Sequence, residues 1–245
     1  MEWLANPWLW VGVFVLLAFT AEAITGFGSI VIALALGALL LPIPELLPVL
    51  VPLNILMSGT LTWRYRQHIH GPTLWRLILP LMGVGLVVGS VLRPWLENSA
   101  LTLLFGVLII VFSSRELWRL WRGLATPPHG AWWTRGWMLG AGLTHGLFAS
   151  GGPMLVYALS GLPLDKTRFR ATLIAVWFTL NATLTVWFLV DGSLIAAGGK
   201  VLMLAPVVVV AMVLGDHLHH RIPDVLFRRC LFILLLCTGV VLALS

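Results

Sequence analysis

The chain has 245 residues, 60% of them hydrophobic and only 10% charged, with 13 Trp and a mean hydropathy of +1.00. A soluble domain is about 45–50% apolar and about 25% charged, and a core of this size has no room for so much apolar side chain. The composition therefore excludes a soluble globular protein and describes an integral membrane protein. The formal charge of +6 does not mark a nucleic-acid binder, because the basic residues stand between apolar runs, as cytoplasmic anchors do.

The start, Met1-Glu2-Trp3, lacks the basic region of a signal peptide, so the first apolar run is expected to be retained. Apolar stretches follow from Trp8 to Leu41, Leu46 to Thr62, Leu74 to Leu92, Leu101 to Leu120, Trp137 to Leu162, Ala171 to Val190, Val201 to Leu214 and Val225 to Leu244. About 20 helical residues cross a bilayer, so six of these read as single spans. The first and fifth are too long. Trp8 to Leu41 is 34 residues, about 50 Å as one helix against a hydrocarbon core of about 30 Å. Each long stretch is also broken by poor helix formers, Thr25-Gly26-Phe27-Gly28-Ser29 in one and Ala149-Ser150-Gly151-Gly152-Pro153 in the other.

Basic residues prefer the cytoplasmic side. Eight single crossings would divide the Lys and Arg residues eight to seven between the two sides. If each long stretch is instead a hairpin, re-entrant or fully spanning, that returns to its side of entry, thirteen of the fifteen share one side and only Arg93 and Lys200 lie opposite. The reading is an all-α polytopic membrane protein of two inverted repeats, each a glycine-broken hairpin plus three transmembrane helices. Residues 1–122 form the first repeat, 123–136 a basic cytoplasmic linker and 137–245 the second repeat. Asn54 with Asn181, Pro80 with Pro206 and Gly89 with Gly215 recur at a nearly fixed offset. Both termini are expected outside the cytoplasm. Trp3, Trp8 and Trp10 fit one interfacial belt, and Trp118, Trp121, Trp132 and Trp133 the other.

Non-helical backbone at membrane depth needs protein or a water-filled cavity around it, so the two breaks are expected to face one cavity. A helix restarts after each break, and its free N–H groups and positive dipole end suit an anion. Glu22 lies just before the first break, where a carboxylate is costly unless protonated or paired. His145 holds the near-equivalent place before the second; Glu22 and His145 are the candidates for proton coupling. Asn54 and Asn181 could donate to an anion or join helices, and Ser29 and Ser150 add hydroxyls that could also cap backbone. Three signals read as structural: the histidines His217, His219 and His220 beside Arg221, the Arg64-Tyr65-Arg66 end, and Lys166 to Arg170, the last two as topology anchors or an entrance for anions. Cys230 and Cys237 share a helix face seven residues apart, so no disulfide, metal site or cofactor is expected.

The glycine break, the Leu-Pro turn after it, the Trp63-Arg64-Tyr65-Arg66 end of the next stretch and the Gly151-Gly152-Pro153 break resemble the TauE/SafE sulfite exporter family, also called toluene sulfonate uptake permeases, from Thr20 to Leu242. The resemblance implies transport of sulfite, thiosulfate or an organosulfonate such as sulfoacetate across the bacterial cytoplasmic membrane. It implies substrate contact at Gly26, Gly28, Ser29, Ser150, Gly151, Gly152 and Pro153. Members often carry three glycines in a run at each break, and this chain has Phe27 in the first and Ala149-Ser150 in the second, which points to a reshaped pocket. The expected function is secondary transport by rocking of the two halves, with Asn54 and Asn181 assisting and protons as coupling ion. The partners are then a small sulfur anion, protons and lipid, with homo-oligomerisation left open. No nucleotide-binding loop is present to support ATP drive. Two readings from other classes are an intramembrane enzyme using Glu22 and His145 as an acid–base pair, and a non-transporting assembly factor indifferent to Glu22→Gln or Gly152→Leu.

Overall fold

The computed structural model describes residues 6–26, 28–123, 130–159, 164–218 and 224–244. Phe27, part of the linker (124–129), His219, His220 and Arg221 fall outside the described residues. Every described element is helical. The first long stretch is α1 (Pro7–Thr25) and α2 (Ser29–Gly37), followed by α3 (Ile43–Tyr65), α4 (Gly71–Trp95) and α5 (Asn98–Arg122). The fifth stretch is α6 (Ala131–Phe148) and α7 (Gly152–Leu159), followed by α8 (Lys166–Val190), α9 (Ser193–Leu218) and α10 (Asp224–Leu244). Both long stretches are thus interrupted at the expected residues.

The arms of each interrupted stretch are unequal. The break comes after 19 residues of α1 but only 9 of α2 follow it, so α1 alone is long enough, at about 28 Å, to cross a bilayer. Six described helices are both long and apolar enough to cross a membrane, namely α1, α3, α4, α5, α8 and α9, and α10 is a helix of 21 residues whose described side chains include the apolar run Arg229–Leu244. α6 starts at Ala131, six residues before the expected start of the second repeat at residue 137, because Gly130 caps a run of helix-compatible residues. In α4 the first turns widen into a π-helix over Leu74–Ile78. Pro80 follows, whose ring opposes the carbonyl four residues earlier, and a widened turn relieves that clash.

Helix pairs meet through small residues, since lipid offers no hydrophobic drive for helices to associate. α4 lies against α6 with backbone on backbone: Gly85 and Gly89 of one helix face Gly142 and Gly146 of the other. A Cβ on Gly142 or Gly146 would drive into the carbonyl of Met82 or Leu86. α1 lies against α9, where Gly215 abuts Ala23, and α5 against α10, where Gly106 meets Gly239. α3 lies against α8, and the short α2 and α7 pack on their own partners α1 and α6. Leu and Val side chains on α4, α5, α9 and α10 are exposed, as lipid-facing surfaces require.

The contacts at the helix ends sort the cations. At the C-terminal ends of α4 and α8, Arg93 lies 4.8 Å from the Phe188 ring, and at the start of α1 Trp8 carries Lys200 at 4.1 Å. At the opposite end of α8, Arg170 lies 5.6 Å from the Tyr65 ring, and near the end of α5 Arg115 lies 4.0 Å from that of Tyr157.

Candidate functional site

The two breaks are built alike. α1 closes on Gly26, which takes the left-handed conformation (φ +86°) and donates its N–H to the Glu22 carbonyl at 2.6 Å. α6 closes on Ala149, also left-handed (φ +51°), with its N–H on the His145 carbonyl at 2.7 Å. Glu22 and His145 therefore hold the same place, one turn before their breaks. Gly28 (φ +104°) then turns the chain into α2, a conformation that costs a residue with a Cβ about 1–2 kcal/mol. Ala149 bears that strain at the second break, and strained backbone of this kind gathers at functional sites.

A hydrogen-bonded chain joins the breaks across the bundle. Glu22 is buried, and its Oε2 accepts the backbone N–H of Ser29, the first residue of α2, at 3.0 Å. The N-terminus of α2, expected to suit an anion, thus holds the protein's own carboxylate. Asn54 Nδ2 lies 3.2 and 3.0 Å from the two carboxylate oxygens of Glu22, and 2.8 Å from Ser29 Oγ. Asn181 Nδ2 donates to Asn54 Oδ1 at 2.7 Å, and Asn181 Oδ1 faces His145 Nε2 at 3.1 Å. A carboxylate only accepts, so it turns the Asn54 amide N–H groups toward itself and the Asn54 oxygen toward Asn181. Asn181 is oriented in turn, and the His145 proton is placed on Nε2. Nδ1 of the neutral ring is left bare and has no partner among the described residues.

One cavity of about 50 Å³ is lined by residues of both breaks. Glu22, Gly28, Ser29, Asn54, His145, Ser150, Gly152, Pro153 and Asn181 all line it. Two candidates do not. Gly26 packs instead against Arg170, whose Nε would lie 2.9 Å from a Cβ there, and Gly151 presses its backbone on the Ala141 carbonyl of α6. Arg170 also donates to the Ala23 carbonyl at 3.5 Å, placing a cation at the C-terminal end of α1.

The cavity's polar atoms are unevenly served. On the first-break side Glu22, Ser29 and Asn54 are bonded to one another. On the second-break side the buried atoms His145 Nδ1, Ser150 Oγ and Trp177 Nε1 have no protein partner among the described residues. An indole N–H is a donor only, and leaving it unmet costs about 1–3 kcal/mol. Trp177 stacks on His145 with ring centroids 5.9 Å apart and planes at 19°. The sequence reading passes over Trp177. Its signal was its place four residues before Asn181, one turn away on the same face of α8.

Residues 11–242 match the family described as "Sulfite exporter TauE/SafE". A curated relative, "Probable inner membrane transporter protein TsaS" of Comamonas testosteroni, is 29% identical over 176 residues, covering 67% of this chain and 70% of the relative. No solved structure matches the chain. With nearly its whole length matched, and with the broken helices and the cavity that residues of both breaks line, this chain belongs to the TauE/SafE family of multi-pass membrane transporters.

Proposed function

We propose that the chain is a secondary transporter of a small sulfur anion, such as sulfite, thiosulfate or sulfoacetate, in the bacterial inner membrane. Alternating access comes from the rocking of two inverted halves, with the basic loops cytoplasmic and both termini outside. The observation that carries this reading is the cavity shared by two helix breaks, lined by the starts of both restarting helices. In its support, residues from both halves converge there: Glu22 with Asn54 from one, His145 with Asn181 from the other. The family and the relative's name support the sulfur-anion and inner-membrane parts. Ser29, Asn54, Ser150, Gly152, Pro153 and Asn181 shape the anion site, Gly26, Gly28 and Gly151 form its turns, and Glu22 and His145 couple transport to protons.

The two-repeat reading is supported by the packing. Exchanging α1–α5 for α6–α10 in order turns the α1–α9 pair into α6–α4, and leaves α3–α8 and α5–α10 unchanged. Domains with a pseudo-two-fold of this kind rock about a midplane site.

The test is uptake of radiolabelled sulfite, thiosulfate and sulfoacetate into proteoliposomes, with and without a pH gradient, by the wild type and Glu22→Gln. Saturable uptake of at least one anion that loses its response to the gradient in Glu22→Gln is the expected result. Folded wild-type protein that moves none of them under either gradient direction contradicts the proposal.

A further inference from the structure

The hydrogen bonds divide the cavity into a filled half and an unfilled one. At the start of α2 the Ser29 N–H is taken by the Glu22 carboxylate, which Asn54 also binds, so a second anion there would meet a like charge at contact distance. At the start of α7 the N–H groups ahead of Leu155, whose own N–H reaches the Gly151 carbonyl, have no helical carbonyl before them, Pro153 lacks one, and no acidic residue stands in the first turn. Around this end stand a donor that cannot accept (Trp177 Nε1), a hydroxyl (Ser150 Oγ) and a bare imidazole nitrogen (His145 Nδ1), all buried and without a partner among the described residues. Gly152 lets the Trp177 ring approach the end of α7, since a Cβ there would already lie 3.7 Å from its six-membered edge.

We propose that the transported anion sits in this second half, accepting hydrogen bonds from Trp177 Nε1 and Ser150 Oγ, and that it enters together with one proton, which bonds to His145 Nδ1. This rests on the transporter reading above. The step is balanced: the Nδ1 lone pair takes a proton from hydronium of the bathing solution, which leaves water, the ring becomes an imidazolium, and Nε2–H keeps its bond to Asn181. Charge at the site then rises by one as an anion arrives. The stack on Trp177 is a cation–π geometry once the ring is charged. In its ionised form Glu22 fills the anion position of the first half, and it then fixes the His145 tautomer through Asn54 and Asn181. Glu22 and His145 are the ionisable residues lining the cavity. The charged and titratable groups on the elements packed around His145 are turned elsewhere: Arg93 lies over Phe188, Tyr157 of α7 against Trp137 and Arg115, and Arg170 over Tyr65. Arg76 of α4 is exposed, as are Asp165 and Arg168 at the start of α8.

The test is equilibrium binding of labelled thiosulfate and sulfoacetate, whose own charge is constant across the neutral range, to detergent-purified protein at about pH 6 and about pH 8. The wild type should bind at least one of them and bind it more tightly at the lower pH. Trp177→Phe, which keeps an aromatic ring of smaller size and loses the N–H, should weaken binding roughly ten- to a hundredfold with the pH response kept. Ser150→Ala removes one oxygen and no bulk, should weaken binding in the same way, and reads the same site by a milder change. His145→Gln, which keeps a donor for Asn181, should flatten the pH response. Wild-type affinity in both Trp177→Phe and Ser150→Ala, or an unchanged pH response in His145→Gln, overturns this assignment and leaves the transporter reading standing. Absence of binding of either anion by folded wild type removes both.

Discussion

Asn54 and Asn181 join α3 to α8 through a buried hydrogen bond beside the cavity. Each amide uses its nitrogen in one direction and its oxygen in the other, so the pair transmits orientation from Glu22 to His145. Interhelical hydrogen bonds in membranes are worth about 0.6 kcal/mol on average and up to about 1.7 kcal/mol, because the reference state also finds partners. A double-mutant cycle of Asn54→Ala and Asn181→Ala, followed by unfolding in detergent, should show a coupling in that range, and additive losses would deny the link. Both asparagines, Glu22 and the two breaks were legible in the sequence because a polar or helix-breaking residue inside an apolar run has few cheap explanations. Trp177 was not. Tryptophan in a membrane protein reads first as an interfacial anchor, and only the fold shows that this one is buried beside His145 with its N–H turned into the protein.

Among the elements, the tightest joint is α4 on α6. Gly85 and Gly89, and Gly142 and Gly146, each follow the small-xxx-small spacing, which is visible in the sequence; that these two pairs face each other is a property of the tertiary arrangement. A leucine at Gly146 has backbone in its way, whereas nothing lies within 4 Å of a Cβ at Gly83 on the other face of α4. Gly146→Leu should therefore abolish folded yield, measured by size-exclusion chromatography in mild detergent, and Gly83→Leu should retain it. The same contrast holds within one break. Gly151→Ala meets the Ala141 carbonyl and should lower thermal stability, while Gly152→Ala enters ordinary contact with Trp177 and should leave stability near wild type. Equal tolerance at both positions would contradict the packing described. The early start of α6 and the unequal hairpin arms escaped the sequence reading because apolar content marks membrane depth, whereas helix ends are set by capping geometry.

For the whole molecule, hydropathy and the positions of Lys and Arg gave the all-α class and the two interrupted stretches, while the pairing of helices across the bundle needed coordinates. The proposed topology puts Arg66 and Arg119 on the cytoplasmic side and Glu97 and Asp191 opposite. In a background with the exposed Cys230 and Cys237 replaced, single cysteines at Arg66 and Arg119 should react with an impermeant maleimide only after the cytoplasmic face is opened. Cysteines at Glu97 and Asp191 should react in intact cells, and one pattern for all four would refute the inverted arrangement. The central claim is that an anion and a proton cross together through the cavity between the breaks. Its most direct measurement is internal pH in proteoliposomes, followed with a trapped dye while thiosulfate or sulfoacetate is added outside. The account predicts a saturable acidification of the lumen driven by at least one of these anions, absent in empty vesicles and lost in His145→Gln. Saturable anion uptake with no movement of protons would contradict it.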